Sequence, residues 1–188
     1  MSRYSHAPRE LMSLAAGVLF GVGGVLSVFR LVVQQEGIYS PGILVNALVA
    51  FTLSATLFVL GRRLPWWALE VCAVLAVLLC ASGLLFGTEH GGIASDNEML
   101  YLFPLIYVAY FMGRRALVLC TLLAVGSYGA ILAYHGWDPS SSGRLMTTTI
   151  VMVAVLILVR LLRDRVDRLI GRLEATARTD ALTGLMNR

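Results

Sequence analysis

The sequence predicts an all-α fold, a polytopic membrane bundle of six transmembrane helices whose last helix extends beyond the membrane as a coiled coil. Of the 188 residues, 58% are hydrophobic, and the mean hydropathy is +0.79. Charged residues make up 14% of the chain, against about 25% in a soluble domain. Ten of these charged residues lie in the last 26 positions. This distribution indicates a membrane block followed by a short water-facing tail.

Six apolar runs approach the length of about 20 residues that a membrane-crossing helix needs. We predict spans at residues 11–29, 42–60, 66–86, 99–112, 116–134 and 145–162. The run at 99–112 is the shortest of the six, and its length also suits a re-entrant segment that enters and leaves on one side.

The placement of arginine favours six spans over five. Arginines flank alternate connections, at Arg3, Arg9, Arg62, Arg63, Arg114, Arg115 and in the tail from Arg160 onward. Because positive residues flanking spans concentrate on the cytoplasmic side, both residues 1–10 and the C-terminal tail are predicted to be cytoplasmic. Two ends on one side require an even number of spans. The net charge of +4 is explained in the same way, so we expect lipid and no nucleic acid as a partner.

The first span carries small residues at helical spacing, namely Ser13, Gly17, Gly21 and Gly24. Such a stripe lets two helix backbones approach closely in lipid. The pattern favours packing within the bundle, and a dimer interface is the alternative.

After the sixth span, apolar residues continue at alternating steps of three and four, at Val159, Leu162, Val166, Leu169 and Leu173. A 3.5-residue repeat is typical of a helix packed on a partner helix. We therefore predict that residues 163–178 continue the last span as a signalling helix in a parallel homodimer. The alternative is a single amphipathic helix lying on the membrane surface.

The chain ends in the segment DALTGLMNR, which resembles the D-x-L-T-G-L-x-N-R opening of the GGDEF family, the bacterial diguanylate cyclases. The matching positions are Asp180, Leu182, Thr183, Gly184, Leu185, Asn187 and Arg188. The order of six spans, a coiled coil and this opening is also similar to the MASE-type membrane sensors that precede such enzymes.

The resemblance implies that residues 179–188 begin a GGDEF domain and that the chain resides in a bacterial inner membrane. It implies a full-length parent that makes cyclic di-GMP from GTP with Mg. The family's metal-binding carboxylates and glycine-acid loop follow this opening, so we expect no catalytic residue, metal site or cofactor in these 188 residues. The expected role is a sensor for an unknown small ligand or membrane signal. The alternatives are a passive dimerising anchor and a small transporter or channel.

Polar residues within the spans are the candidate sensing groups, because charge inside a membrane usually marks function. They are Glu70, Asn46, Tyr107 and Tyr110, together with Arg30, which closes the first span. Glu70 is either a sensing carboxylate or the partner of an arginine at the cytoplasmic rim. For Arg30 the alternative role is snorkelling of its guanidinium to the lipid headgroups. For Asn46 the alternative is an interhelical hydrogen bond. The two tyrosines either accompany a pocket opened at Pro104 or belong to aromatic belts.

Overall fold

The computed structural model describes residues 9–33, 40–87 and 97–178, and every regular element in these ranges is helical. The elements are α1 (Arg9–Val33), α2 (Ser40–Leu60), a 3₁₀ turn (Gly61–Arg63), α3 (Trp66–Leu85), a 3₁₀ helix (Asn97–Tyr101), α4 (Leu102–Phe111), α5 (Arg114–His135) and α6 (Pro139–Arg178). The GGDEF-like segment 180–188 lies outside the described residues.

Five of these helices, α1, α2, α3, α5 and α6, are long and apolar enough to cross a membrane. Their outward faces carry exposed apolar side chains such as Val25, Leu48 and Leu122, which suit contact with lipid tails. The chain is therefore an all-helical, multi-pass membrane protein.

The predicted segment 99–112 forms the Asn97–Tyr101 3₁₀ helix followed by α4, which has only ten residues. Together they reach about 25 Å, because a 3₁₀ helix rises about 2.0 Å and an α-helix 1.5 Å per residue. α4 is too short to count among the five long helices. It lies in the middle of the bundle, where Leu105, Val108 and Ala109 are fully buried.

Contacts between helix ends show how the chain alternates in direction. At one end, which we call the Arg160 end, Gly61 after α2 lies directly against Ser13 near the start of α1. At the same end, the Arg9 guanidinium lies 5.0 Å from the centre of the Trp66 ring, at the start of α3. Arg160 of α6 contacts the last turn of α4.

At the opposite end, which we call the Arg30 end, Arg30 in the last turn of α1 contacts Gly83 near the end of α3. Glu98 in the 3₁₀ helix pairs there with Arg144 near the start of α6. The 97–111 segment thus runs from the Arg30 end to the Arg160 end, antiparallel to α3 and α5 and parallel to α6.

Helices α1 and α2 form the tightest pair, and the small-residue stripe of α1 lies at their contact. Ser54 of α2 donates a hydrogen bond of 2.7 Å from its Oγ to the Gly17 carbonyl. A Cβ atom at Gly17 would lie 3.3 Å from the Phe58 ring, and one at Gly24 would lie 2.9 Å from the Phe51 ring. The stripe therefore lies at the contact between α1 and α2 of one chain.

Helix α6 is one unbroken helix of 40 residues, or about 60 Å at 1.5 Å per residue. Its start has a complete set of capping signals. Asp138 Oδ1 accepts a hydrogen bond from the Ser141 amide, Ser141 Oγ accepts one from the Asp138 amide, and Pro139 occupies the first helical position. The hydrogen bonds from Ser141 and Ser140 lower the pKa of Asp138 below its ordinary value.

Replacing Gly17 by valine tests the close approach of α1 and α2. We expect Gly17→Val to lower the thermal unfolding midpoint in detergent, because overpacking a tight contact costs about 1–3 kcal/mol. The matched control is Gly126→Val in α5, where an added Cβ meets no atom within 4 Å. Equal midpoints for the two variants would contradict a tight contact between α1 and α2.

Candidate functional site

Two adjoining cavities of about 80 and 70 Å³ lie between α1, α2, α3 and the 97–111 segment, from the middle of the bundle to the Arg30 end. We call them together the Arg30 cleft. Residues from three elements line both cavities: Leu19, Gly23, Asn46 and Phe103. The two cavities are therefore parts of one cleft.

The α1 wall of the cleft follows one face of the helix through Leu19, Gly23, Ser27 and Arg30. Residues three and four apart lie above one another on a helix, so this wall is about 16 Å tall at 1.5 Å per residue. Arg30 stands at one end of the wall and leucine at the other. The cleft consequently has a cationic end at Arg30 and becomes apolar toward Leu19.

Arg30 contacts the C-terminal turn of α3. Its Nη1 donates a hydrogen bond of 3.1 Å to the Gly83 carbonyl, and a Cβ on Gly87 would overlap the guanidinium. The carbonyl end of a helix carries partial negative charge, which attracts a cation. One clear role of Arg30 is therefore to hold α1 against the end of α3, and the same guanidinium lines the cleft.

Asn46 of α2 links α2 to α3 from the side of the cleft. Its Nδ2 donates to the Leu79 carbonyl at 3.3 Å, and its Oδ1 accepts a hydrogen bond of 2.8 Å from Ser82 Oγ. A Cβ on Gly83 would lie 3.2 Å from Asn46 Nδ2. Arg30 and Asn46, two of the five predicted sensing residues, thus meet at Gly83.

The remaining wall comes from the 97–111 segment. Leu100 and Phe103 line the first cavity, and Cys80 Sγ of α3 donates to the Leu100 carbonyl at 3.6 Å. Pro104 lines the second cavity and lies in the first turn of α4, where a missing N–H is tolerated. Pro104 thus borders a cavity from the start of α4 and not from a kink within it.

At the Arg160 end, two arginines of α6 bind the carbonyl end of α4. Arg160 Nη1 donates to the carbonyls of Ala109 and Met112, at 3.2 and 3.1 Å. Arg163 Nη1 donates to the Met112 carbonyl at 3.3 Å, with the Arg163 residue only 7% exposed. We call this set the arginine clamp. It satisfies carbonyls that a helix end leaves without intrahelical donors.

The same two segments are joined again at the Arg30 end. Arg144 Nη2 lies 3.4 Å from Glu98 Oε2, and both side chains are largely buried. Between these two points the 97–111 segment also contacts α5. Tyr101 packs edge to face on Tyr128, and its hydroxyl forms a hydrogen bond of 2.9 Å with Ser127 Oγ. The segment that walls the cleft is therefore attached to α6 at both of its ends.

The other predicted sensing residues lie away from the cleft. Glu70 is partly buried in the first two turns of α3, near Cys120 of α5 and toward the Arg160 end. Tyr107 is buried and donates from its hydroxyl to the Met12 carbonyl at 3.2 Å, which joins α4 to α1. Tyr110 is 38% exposed and packs edge to face on Phe111. The structure does not bring these three together with Arg30 and Asn46.

The predicted coiled-coil positions divide into two groups. Val159 packs against the bundle's own core. The other four are exposed side chains on the later part of α6, at Leu162, Val166, Leu169 and Leu173. Their pairing with a second chain stays a prediction.

Sequence reasoning did not single out Ser82, Cys80 or Phe103 as cleft residues, nor Arg160 and Arg163 as ligands of α4. Polar residues inside the third span were the available signal for Ser82. The arginines were noted only for topology. Among the described residues, no group of three or more His, Cys, Asp or Glu side chains is placed to hold a metal ion.

Comparisons with family models, with curated proteins and with solved structures found no match for this chain. The class of the protein, a helical multi-pass membrane protein, follows from its own helices. Its candidate site is a partly polar cleft connected through α4 to the last helix.

Removing Arg163 tests the arginine clamp. We expect Arg163→Gln to destabilise the fold by about 1–3 kcal/mol, because the Met112 carbonyl loses one of its two charged donors and keeps only Arg160. Hydrogen exchange should rise in the last turn of α4 and around Met112. The control is Arg168→Gln, which removes the same charge from an exposed position bonded only within α6. If both variants exchange alike around Met112, the clamp does not hold this helix end.

Proposed function

We propose that this chain is a membrane-embedded sensory and dimerisation module that regulates a C-terminal diguanylate cyclase through α6. The observation that carries the proposal is the attachment of α6 to the cleft-lining 97–111 segment at two points, Glu98–Arg144 and the arginine clamp. From that attachment α6 continues unbroken to Arg178, two residues before the segment that resembles the opening of a GGDEF domain.

We propose six membrane crossings, with both termini on the cytoplasmic side of a bacterial inner membrane. The course of the 97–111 segment from the Arg30 end to the Arg160 end supports the sixth crossing in addition to the five long helices. The Arg160 end then faces the cytoplasm, in agreement with the arginines flanking it.

The exposed apolar positions on the later part of α6 support a homodimer. Leu162, Val166, Leu169 and Leu173 are 43–70% exposed in the single chain. A parallel partner helix would cover them with the same positions of a second copy, as in a two-stranded coiled coil. Two cyclase domains would then follow side by side, which suits a reaction that joins two GTP molecules.

Signal transmission in this proposal needs two packings of the bundle that a ligand favours unequally. A ligand in the Arg30 cleft contacts Leu100 and Phe103 on the 97–111 segment. A shift of that segment is passed to α6 through Arg160 and Arg163, which donate hydrogen bonds to the carbonyls at the end of α4. Rotation or sliding of α6 changes how the paired cyclase domains face each other.

The helical phase of α6 provides the main test. We fuse residues 1–178 to an intact GGDEF domain and insert one to four residues after Arg172. Because 3.6 residues complete one turn, each single insertion rotates the following chain by about 100°. Cyclic di-GMP formation should change with one or two added residues and return toward the starting value with four.

Output that ignores the number of inserted residues would contradict transmission through α6. A further arm replaces residues 1–162 with an unrelated dimeric membrane anchor. Unchanged regulation in that hybrid would favour the passive anchor, and solute flux through liposomes containing the intact chain would favour a transporter.

Reporter fusions test the number of crossings. A green fluorescent protein joined after Arg178 should fluoresce, because it folds in the cytoplasm. Alkaline phosphatase joined after Trp137 should be active, because it requires the outer side. If the 97–111 segment instead enters and leaves on one side, the phosphatase after Trp137 should be inactive and the fluorescent protein after Arg178 should not fluoresce.

A further inference from the structure

The Arg30 cleft combines a cation and an apolar depth within one cavity. The guanidinium of Arg30 lines one end, and Leu26, Val22 and Leu19 follow along α1 below it. Phe103 faces them from the 97–111 segment. A molecule that satisfies both parts must itself carry an anionic group at one end and an apolar body.

We propose that the Arg30 cleft binds a small amphiphile, with an anionic head group at Arg30 and a short apolar body extending toward Leu19. The role of this amphiphile as a signal depends on the proposed function given above. Binding of the amphiphile does not depend on the proposed function, because binding is a property of the cleft alone.

The anionic character of the head group is inferred from the hydrogen-bonding chemistry of arginine. A guanidinium presents five N–H donors in a planar fork, which suits the two oxygens of a carboxylate or a phosphate. The other cleft residues nearest Arg30 are mainly apolar, which favours an anion that also carries an apolar body. The Gly83 carbonyl holds the guanidinium in place at 3.1 Å.

The size of the amphiphile's apolar body is inferred from the free space in the cleft. Gly23 lines both cavities, and a Cβ built on it meets no atom within 4 Å, so the middle of the cleft is open. The two cavities measure about 80 and 70 Å³. An apolar cavity of about 150 Å³ holds a molecule as large as benzene. Each cavity here is smaller than that, and the exposed side chains of Val22, Leu26 and Phe103 leave the cleft open along its side, so it suits one narrow unbranched carbon chain lying along α1.

Direct binding to the full chain in phosphatidylcholine nanodiscs tests the proposal. Radiolabelled decanoate is the probe, and empty nanodiscs give the background from partition into lipid. We expect saturable binding of one decanoate per chain. Decanol, which has the same body without the charge, should compete at least tenfold less well.

Three variants examine the two halves of the cleft. Arg30→Gln should weaken decanoate binding by about tenfold or more, because it removes a charge-assisted hydrogen bond. Gly87→Ala keeps the charge but displaces the guanidinium, so it should also weaken binding. Gly23→Leu should abolish binding by filling the open centre, whereas the lipid-facing control Gly126→Leu should leave it unchanged.

Thermal unfolding of each variant separates loss of the site from loss of the fold. Arg30→Lys adds a second check, because it should retain more affinity than Arg30→Gln if charge is what binds the head group. Equal binding of decanol and decanoate would overturn the proposal. So would full binding by a folded Gly23→Leu or Arg30→Gln variant.

Anionic lipid is a second source of the same head-group chemistry, and nanodiscs containing phosphatidylglycerol distinguish it. Displacement of decanoate from the unaltered chain by phosphatidylglycerol identifies a lipid headgroup as the natural occupant. Retained decanoate binding identifies a free amphiphile. These measurements use no cyclase, so failed binding leaves the insertion experiment on α6 intact, and phase-independent output leaves the binding result intact.

Discussion

The carbonyl groups at helix ends must find donors inside an apolar environment, and in this chain arginines from other helices supply them. Arg30 of α1 bonds the end of α3, and Arg160 and Arg163 of α6 bond the end of α4. Each guanidinium places a positive charge at the negative end of a helix dipole while satisfying a carbonyl. The short α4 depends on this most, because it ends within the bundle.

These contacts also join some parts of the bundle more closely than others. The 97–111 segment and α6 are joined at Glu98–Arg144 and at Met112, so displacement of one requires displacement of the other or loss of a buried polar contact. α1 and α2 form a separate close-packed pair through Gly17 and Ser54. The Arg30 cleft lies between these two units, where a change in their separation alters its volume.

The sequence predicts the helices well because apolar length and loop residues are local signals. Arg30 and Asn46 are also conspicuous in the sequence, because they are polar groups beside or within apolar runs. Their meeting at Gly83 could not be predicted, because it depends on which helices are neighbours. Glu70 and Tyr107 are equally conspicuous and lie elsewhere, near Cys120 and Met12. The arginine clamp could not be predicted either, because it also depends on which helices are neighbours and its members resemble ordinary arginines flanking a span.

The brevity of α4 has a consequence for how the chain is made. A helix of ten residues is too short to enter a bilayer by itself, where about 20 apolar residues are needed, so its neighbours must carry it in. Ribosomes release the chain from its N-terminus, and Arg160 emerges roughly fifty residues after Ala109. Until that moment the carbonyls closing α4 lack their final donors. The burial of α4 is therefore completed only when α6, which is synthesised later, has joined the bundle.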